Sequence, residues 1–223
     1  MRGLGLSSAE FDLERDFTRE ACVEDVCAIV DHLGAASVHF CGESMGDMIG
    51  MALATLHPSR VRTLTLVSTP ISINERGKVT FADRNPTSDT ANRDGGVDAW
   101  LEASNRDMRF PADAAPGLVA WYNAEFKKNR RDVQAAMGGL ANRANVTAAY
   151  LKGIKAPVLG LYPTAGPLTT PEQEQMLIDN IRDLRMVHMP ASYHKIQLMF
   201  PAACADHLLH FIARHDGVPC REN

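Results

Sequence analysis

Apolar residues recur along this chain in two rhythms that take turns. Residues 17 to 33 place Ala21, Val23, Val26, Ile29, Val30 and Leu33 at helical spacing, and Gly34 follows as a stop, which predicts an amphipathic helix closed by a tight turn. The next run, SVHFC over 37 to 41, is short and rich in β-formers. A glycine-flanked turn separates it from a small-residue helix, MGDMIGMALATLH, which stops at His57-Pro58 because the residue before a proline disfavours helical backbone. A buried strand, RTLTLVS (62 to 68), comes next. PVLGLY (157 to 162) and LRMVHM (184 to 189) are two further strand signals around a helix starting near Pro171, and a last helix runs from Pro201 to about Arg214 with Gly217 just beyond. Strands alternating with helices over short connections mark a parallel sheet with crossover helices. The predicted fold class is α/β, a mostly parallel open sheet with flanking helices.

Between the second and third strands the rhythm changes. Gly, Asn and Asp dominate early, and helical periodicity follows around Trp100, Leu118, Trp121, Phe126, Val133 and Met137. This divides the chain into a core, 1–70 and 156–223, and an inserted helical cap, 71–155. Both tryptophans fall in the cap, where they suit either a lid over an apolar pocket or the cap's own packing.

Composition narrows the function classes. At 223 residues the chain can bury a sizeable single core. The first twenty residues hold no apolar stretch of signal-peptide length, and no run approaches the ~18 apolar residues of a membrane span. The expectation is a soluble, cytoplasmic protein with no membrane partner. A net charge of -4 argues against a nucleic-acid surface, and Lys127, Lys128, Arg130 and Arg131 read as one solvated helix face. The five cysteines, Cys22, Cys27, Cys41, Cys204 and Cys220, have no C-x-x-C spacing and suggest neither a disulfide framework nor a zinc site. No cofactor and no metal are expected.

The chemistry concentrates at Gly42-Glu43-Ser44-Met45-Gly46, between a strand and a helix. In that context G-x-S-x-G makes a sharp turn that exposes the serine at the strand end, the glycines being read as what lets the backbone turn. A serine hydroxyl needs a base to take its proton. Of eight histidines, His32, His57, His207, His210 and His215 lie in or at the ends of predicted helices, and His39 and His188 lie within strands. Only His194 sits in a loop after a strand and before a helix. The C-terminal ends of parallel strands share one rim, so Ser44 and His194 are expected on the same side. His207 and His210 form an i, i+3 pair without a third ligand, and read as a solvated helix face.

These segments resemble the α/β-hydrolase family, within it the lid-bearing branch of small esterases, enol-lactonases and cofactor-free perhydrolases. The likeness covers RGLGLS (2 to 7), HFCGESMGDMIG (39 to 50), HPSRVRTLTLVST (57 to 69) and SYHKIQLMFP (192 to 201). The resemblance implies Ser44 as nucleophile, His194 as general base and the Met45 N–H as an oxyanion donor. Serine rather than aspartate at position 44 argues against the dehalogenase and epoxide-hydrolase branches.

Two parts of the family pattern are missing. The strands and His-Gly oxyanion loop that precede RGLGLS in the family have no counterpart, so the fold is expected to be shortened at its N-terminus. The acid that orients the histidine should lie in PTAGPLTT, where Gly166 occupies its place; the first carboxylates beyond the two possible loops are Glu172 and Glu75. Loss of an oxyanion donor costs about 100 to 1,000-fold and loss of the triad acid about 10,000-fold in turnover, so weakened activity is expected. The resulting function is a carboxylesterase or lactonase acting on a small ester or lactone through acyl-Ser44. The alternative is a vestigial, non-catalytic ligand-binding protein of the same fold. A homodimer is also expected: the strand at 37 to 41 should be interior, yet lacks an intrachain partner on one side, so a second copy, or residues 1 to 16, would have to cover it.

Overall fold

The computed structural model describes residues 2–7, 10–73, 96–130, 132–134, 136–137, 140 and 146–218. Glu75 and Cys220 lie outside them. In chain order the elements are α1 (Leu13–Asp16), α2 (Arg19–His32), β1 (Val38–Glu43), α3 (Met45–Leu56), a 3-10 turn (Pro58–Arg60), β2 (Val61–Val67), α4 (Gly96–Ser104), a π-helical turn (Asn105–Arg109), α5 (Pro116–Lys127), α6 (Ala148–Lys152), β3 (Val158–Pro163), α7 (Pro171–Asn180), β4 (Leu184–Met189), α8 (Ile196–Met199) and α9 (Pro201–Asp216). The four strands form one parallel sheet in the order β1-β2-β3-β4.

Local chemistry explains the boundaries. The Thr18 hydroxyl accepts a hydrogen bond from the Ala21 N–H and caps α2, and Thr170 does the same for α7 through the Gln173 N–H. Gly217, at φ 67, ends α9 in the left-handed region where glycine carries no Cβ penalty.

Strand alternation splits the core between two faces. On one side Val158 and Tyr162 of β3 join Leu64 and Leu66 of β2, with residues of α2, α3 and α7. On the other, Leu159 and Leu161 meet Met189, Ile196, Cys204 and Phe211, and so bury one stripe of α9. All four strands run the same way, so their C-terminal ends share one rim. A ladder of N–H donors continues past the strand ends there: Ser44 to Val67 O (3.1 Å), Ser68 to Leu161 O (2.9 Å) and Thr164 to Met189 O (2.9 Å).

Two details matter for assembly and location. Among the described residues β1 is the edge strand, with β2 as its sheet partner and Cys41 exposed. Among the described residues, no helix is long and apolar enough to cross a membrane.

Candidate active site

Ser44 joins the end of β1 to the first turn of α3 with φ 54 and ψ -113. A non-glycine residue in that region carries strain of about 1–3 kcal/mol, held by the surrounding structure. This corrects the expectation that the glycines make the turn, since neither Gly42 nor Gly46 has a positive φ. Gly42 is required for space: a Cβ there would lie 2.6 Å from Asp47 Oδ1 and 2.7 Å from the Asp47 nitrogen. A Cβ on Gly46 would meet nothing within 4 Å. Met45 is the first residue of α3, and N–H groups in a helix's first turn have no intrahelical acceptor, so its amide is placed to serve an oxygen from outside.

Asp47, one turn into α3, is fully buried. Its Oδ2 accepts from the Val67 N–H at 2.6 Å and from the Thr69 hydroxyl, tying the elbow to the end of β2. Burial raises its pKa well above the ordinary carboxylate value, more than the Thr69 and Val67 hydrogen bonds lower it. The carboxyl is a brace that gains by staying protonated.

His194 sits in the loop after β4, with its ring buried. Its backbone is held by the β2–β3 connection: the His194 N–H donates to Met108 O at 2.7 Å and the Lys195 N–H to Arg109 O at 3.0 Å. The Arg109 guanidinium lies over the Trp100 and Tyr122 rings at 4.7 and 5.7 Å, and Lys195 Nζ lies 5.4 Å from the Tyr122 centroid. Periodicity could not show that a π-helical turn would strap the histidine loop, because the contact spans some 86 residues of sequence.

The residue that sequence reasoning missed is Glu43. Its Oε1 lies 3.0 Å from His194 Nε2, and its Oε2 accepts from Lys195 Nζ at 2.9 Å. The histidine contact is oblique, leaving Oε1 without an aligned hydrogen bond. Burial alone would raise the Glu43 carboxyl, but Lys195 and His194 outweigh it and hold the pKa at about 2. His194 is also shifted down: burial is the largest cause, Lys195 and Arg109 add to it, and Glu43 opposes it. Lys195 acts on both groups: its positive charge favours the ionised Glu43 carboxylate and disfavours the His194 imidazolium. Glu43 escaped notice because it occupies the variable second position of the motif, and only the fold brings it to a loop 151 residues away.

Ser44 and His194 therefore lie on one rim, and Glu43, the residue before Ser44, is the one that reaches His194. Among the described residues, no hydrogen bond joins Ser44 Oγ to His194; the ring's Nε2 faces Glu43. The loop of Gly166 runs beside the histidine loop, Ala165 N–H donating to Ala191 O at 3.1 Å, and carries no acid. Glu172 is exposed at the start of α7. Four of the other histidines have separate surroundings: His39 contacts Thr63 and Asp216, His57 contacts Glu24, His188 contacts Glu174, and His210 contacts the Asp206 carbonyl within α9. Among the described residues, Glu24, Cys27 and His57 bring potential ligand atoms within 4.8 Å of one another. They lie at the far end of α3, roughly 18 Å from Ser44 at the usual helical rise.

The family model of the alpha/beta hydrolase fold matches residues 1–199. The chain belongs to the α/β-hydrolase family. It is 27% identical to the enol-lactonase from Burkholderia xenovorans, with a TM-score of 0.81 covering 95% of this chain and 78% of that one. A Variovorax paradoxus protein named "Putative carbamate hydrolase RutD" is 26% identical over 98% of this chain and 82% of its own length. The thermophilic esterase from Thermogutta terrifontis, at 20% identity, shares the fold with a TM-score of 0.78 over 96% of this chain and 78% of its own. Together these make the α/β-hydrolase a hydrolytic enzyme.

Proposed function

We propose that this hydrolase cleaves a small carboxylic ester or lactone through an acyl-Ser44 intermediate, with His194 as general base and the Met45 N–H as oxyanion donor. The observation that carries the reading is the left-handed backbone of Ser44 where β1 turns into α3. Ser44 Oγ attacks the acyl carbon, its proton passes to His194, and the leaving oxygen departs with that proton. Water then adds to the acyl-enzyme with His194 again taking a proton, and the free acid and Ser44 are regenerated. The names of the relatives, a lactonase and a carbamate hydrolase, share an acyl carbon whose oxygen becomes anionic under attack, which is what the start of α3 can stabilise. The depressed pKa of His194 keeps its lone pair available at neutral pH. In this reading the described residues of the 71–155 insertion belong to a cap, with the Met108 and Arg109 carbonyls strapping the base.

Labelling with a fluorophosphonate, run beside p-nitrophenyl acetate and butyrate hydrolysis, tests the reading: both signals are expected in the native chain and neither in Ser44→Ala. Activity surviving that substitution would refute it. One observation favours the second reading, a binding protein without turnover: His194 Nε2 faces Glu43 rather than Ser44 Oγ. An unlabelled Ser44 in a folded chain would select it.

A further inference from the structure

We propose that Glu43, the residue preceding the nucleophile, is the positioning carboxylate for His194, taking over the task of the acid absent at Gly166. The proposal rests on the reading of Ser44 and His194 given above. Three observations support it. Among the described residues, Glu43 is the carboxylate at ion-pair distance from His194, at 3.0 Å, and it reaches Nε2 of a buried ring. The loop around Gly166 is docked on the histidine loop through Thr164 N–H to Met189 O and Ala165 N–H to Ala191 O, yet residues 163–170 contain no Asp or Glu. Lys195, 12% exposed at its side chain, clamps the second carboxylate oxygen at 2.9 Å and fixes where the first one points.

The geometry has a chemical consequence. A neutral imidazole carries one proton, and a carboxylate beside Nε2 favours the tautomer with the proton on that nitrogen. The lone pair is then on Nδ1, so Nδ1 is the atom that receives the Ser44 proton, and the Glu43 charge steadies the imidazolium that results. The charged groups facing the ring come from three elements: Glu43 at the end of β1, Lys195 in the histidine's own loop and Arg109 in the π-helical turn. Two cations and one anion explain how the site holds a carboxylate close without turning His194 into a permanent cation.

The test compares Glu43→Gln, Glu43→Asp and the double substitution Glu43→Gln with Gly166→Asp, using p-nitrophenyl butyrate from pH 5 to 9. Glu43→Gln should lower kcat by roughly 100-fold or more with KM within about threefold, approaching the ~10,000-fold cost of removing a triad acid. Its acid limb should move to lower pH, because the group that raises the His194 pKa is gone. Glu43→Asp should retain more turnover than Glu43→Gln. Gly166→Asp should recover at least about tenfold in the Gln background, since a Cβ at Gly166 meets the Pro163 ring at 3.0 Å and the Thr169 carbonyl oxygen at an ordinary 3.8 Å. Nitrogen-15 NMR of His194 should show the Nε2–H tautomer in the native chain and its loss in Glu43→Gln, a readout that needs no turnover and applies to any folded variant. A Glu43→Gln enzyme with unchanged or faster kcat, an unmoved acid limb, or an unchanged tautomer would overturn the proposal. Failure of the underlying reading looks different: the native chain would not be labelled at Ser44, or Ser44→Ala would keep its activity.

Discussion

Two serines stand at the ends of neighbouring strands with nearly the same positive φ, Ser44 after β1 at φ 54 and Ser68 after β2 at φ 52. Both donate their N–H to the next strand in the sheet, Ser44 to Val67 and Ser68 to Leu161. Ser44 is partly accessible and opens α3, and the residue before it, Glu43, lies 3.0 Å from the buried His194. Ser68 is 1% exposed, its hydroxyl has no partner, and the chain continues into Thr69-Pro70. Left-handed backbone at a strand end is therefore insufficient for a reactive site. The helix that follows, and the histidine loop that reaches the preceding Glu43, separate a candidate nucleophile from a buried corner.

The largest effect is expected from removing the Ser44 hydroxyl. Ser44→Ala is expected to abolish esterase activity and fluorophosphonate labelling, whereas Ser68→Ala should keep turnover within a few-fold; equal losses in steady-state assays would erase the distinction. Next comes the base. His194→Ala should reduce kcat by several orders of magnitude, since an unassisted serine hydroxyl is barely ionised at neutral pH, and alanine at His207 or His210 should not. In the native enzyme kcat should fall as pH drops through the His194 pKa, which lies below the ordinary histidine value of 6.5.

The elbow's packing predicts a stability effect. Gly42→Ala forces a methyl against Asp47 and should cost about 1–3 kcal/mol, while Gly46→Ala, with open space around it, should melt close to the native chain in a thermal scan. Asp47 joins the two serine corners, bonding the residues on either side of Ser68. Its folded pKa is raised, so the folded state holds an extra proton between the unfolded pKa near 3.8 and the folded value, and stability falls as pH rises through that window. Asp47→Asn keeps an acceptor for Val67 and Thr69 without the proton, and should be less sensitive to alkaline pH in urea titrations; an identical pH slope would contradict the protonated brace. The smallest effect expected is on assembly. If two chains pair along the β1 edge, sedimentation across a dilution series will show a dimer that dissociates, and a monomer throughout would leave that edge without a partner.

How far the site was legible depended on sequence distance. The strand at 184–189 was predicted at its observed bounds, and the others fell within one or two residues, because each carries its own periodicity and stop signals. Ser44 and His194 are singled out by local context and the shared rim of a parallel sheet, and in the fold Ser44 follows β1 and His194 follows β4, at that rim. Glu43 was hidden although it sits inside the motif, since nothing in G-x-S-x-G tells where its second side chain points.

The order of strands and helices, the strand–turn–helix around Ser44 and the loop carrying His194 are written locally, because they follow from propensity, capping and proline over a few residues. Tertiary structure alone decided the rest. It put the positive φ on Ser44 rather than on a glycine, made Asp47 a buried brace, and brought Glu43 and the Met108–Arg109 carbonyls onto the histidine loop. These features depend on groups far apart in the chain losing water together. The pKa of a carboxyl and the partner of a ring nitrogen are set by that desolvation and by the charges enclosed with them, which no local pattern encodes.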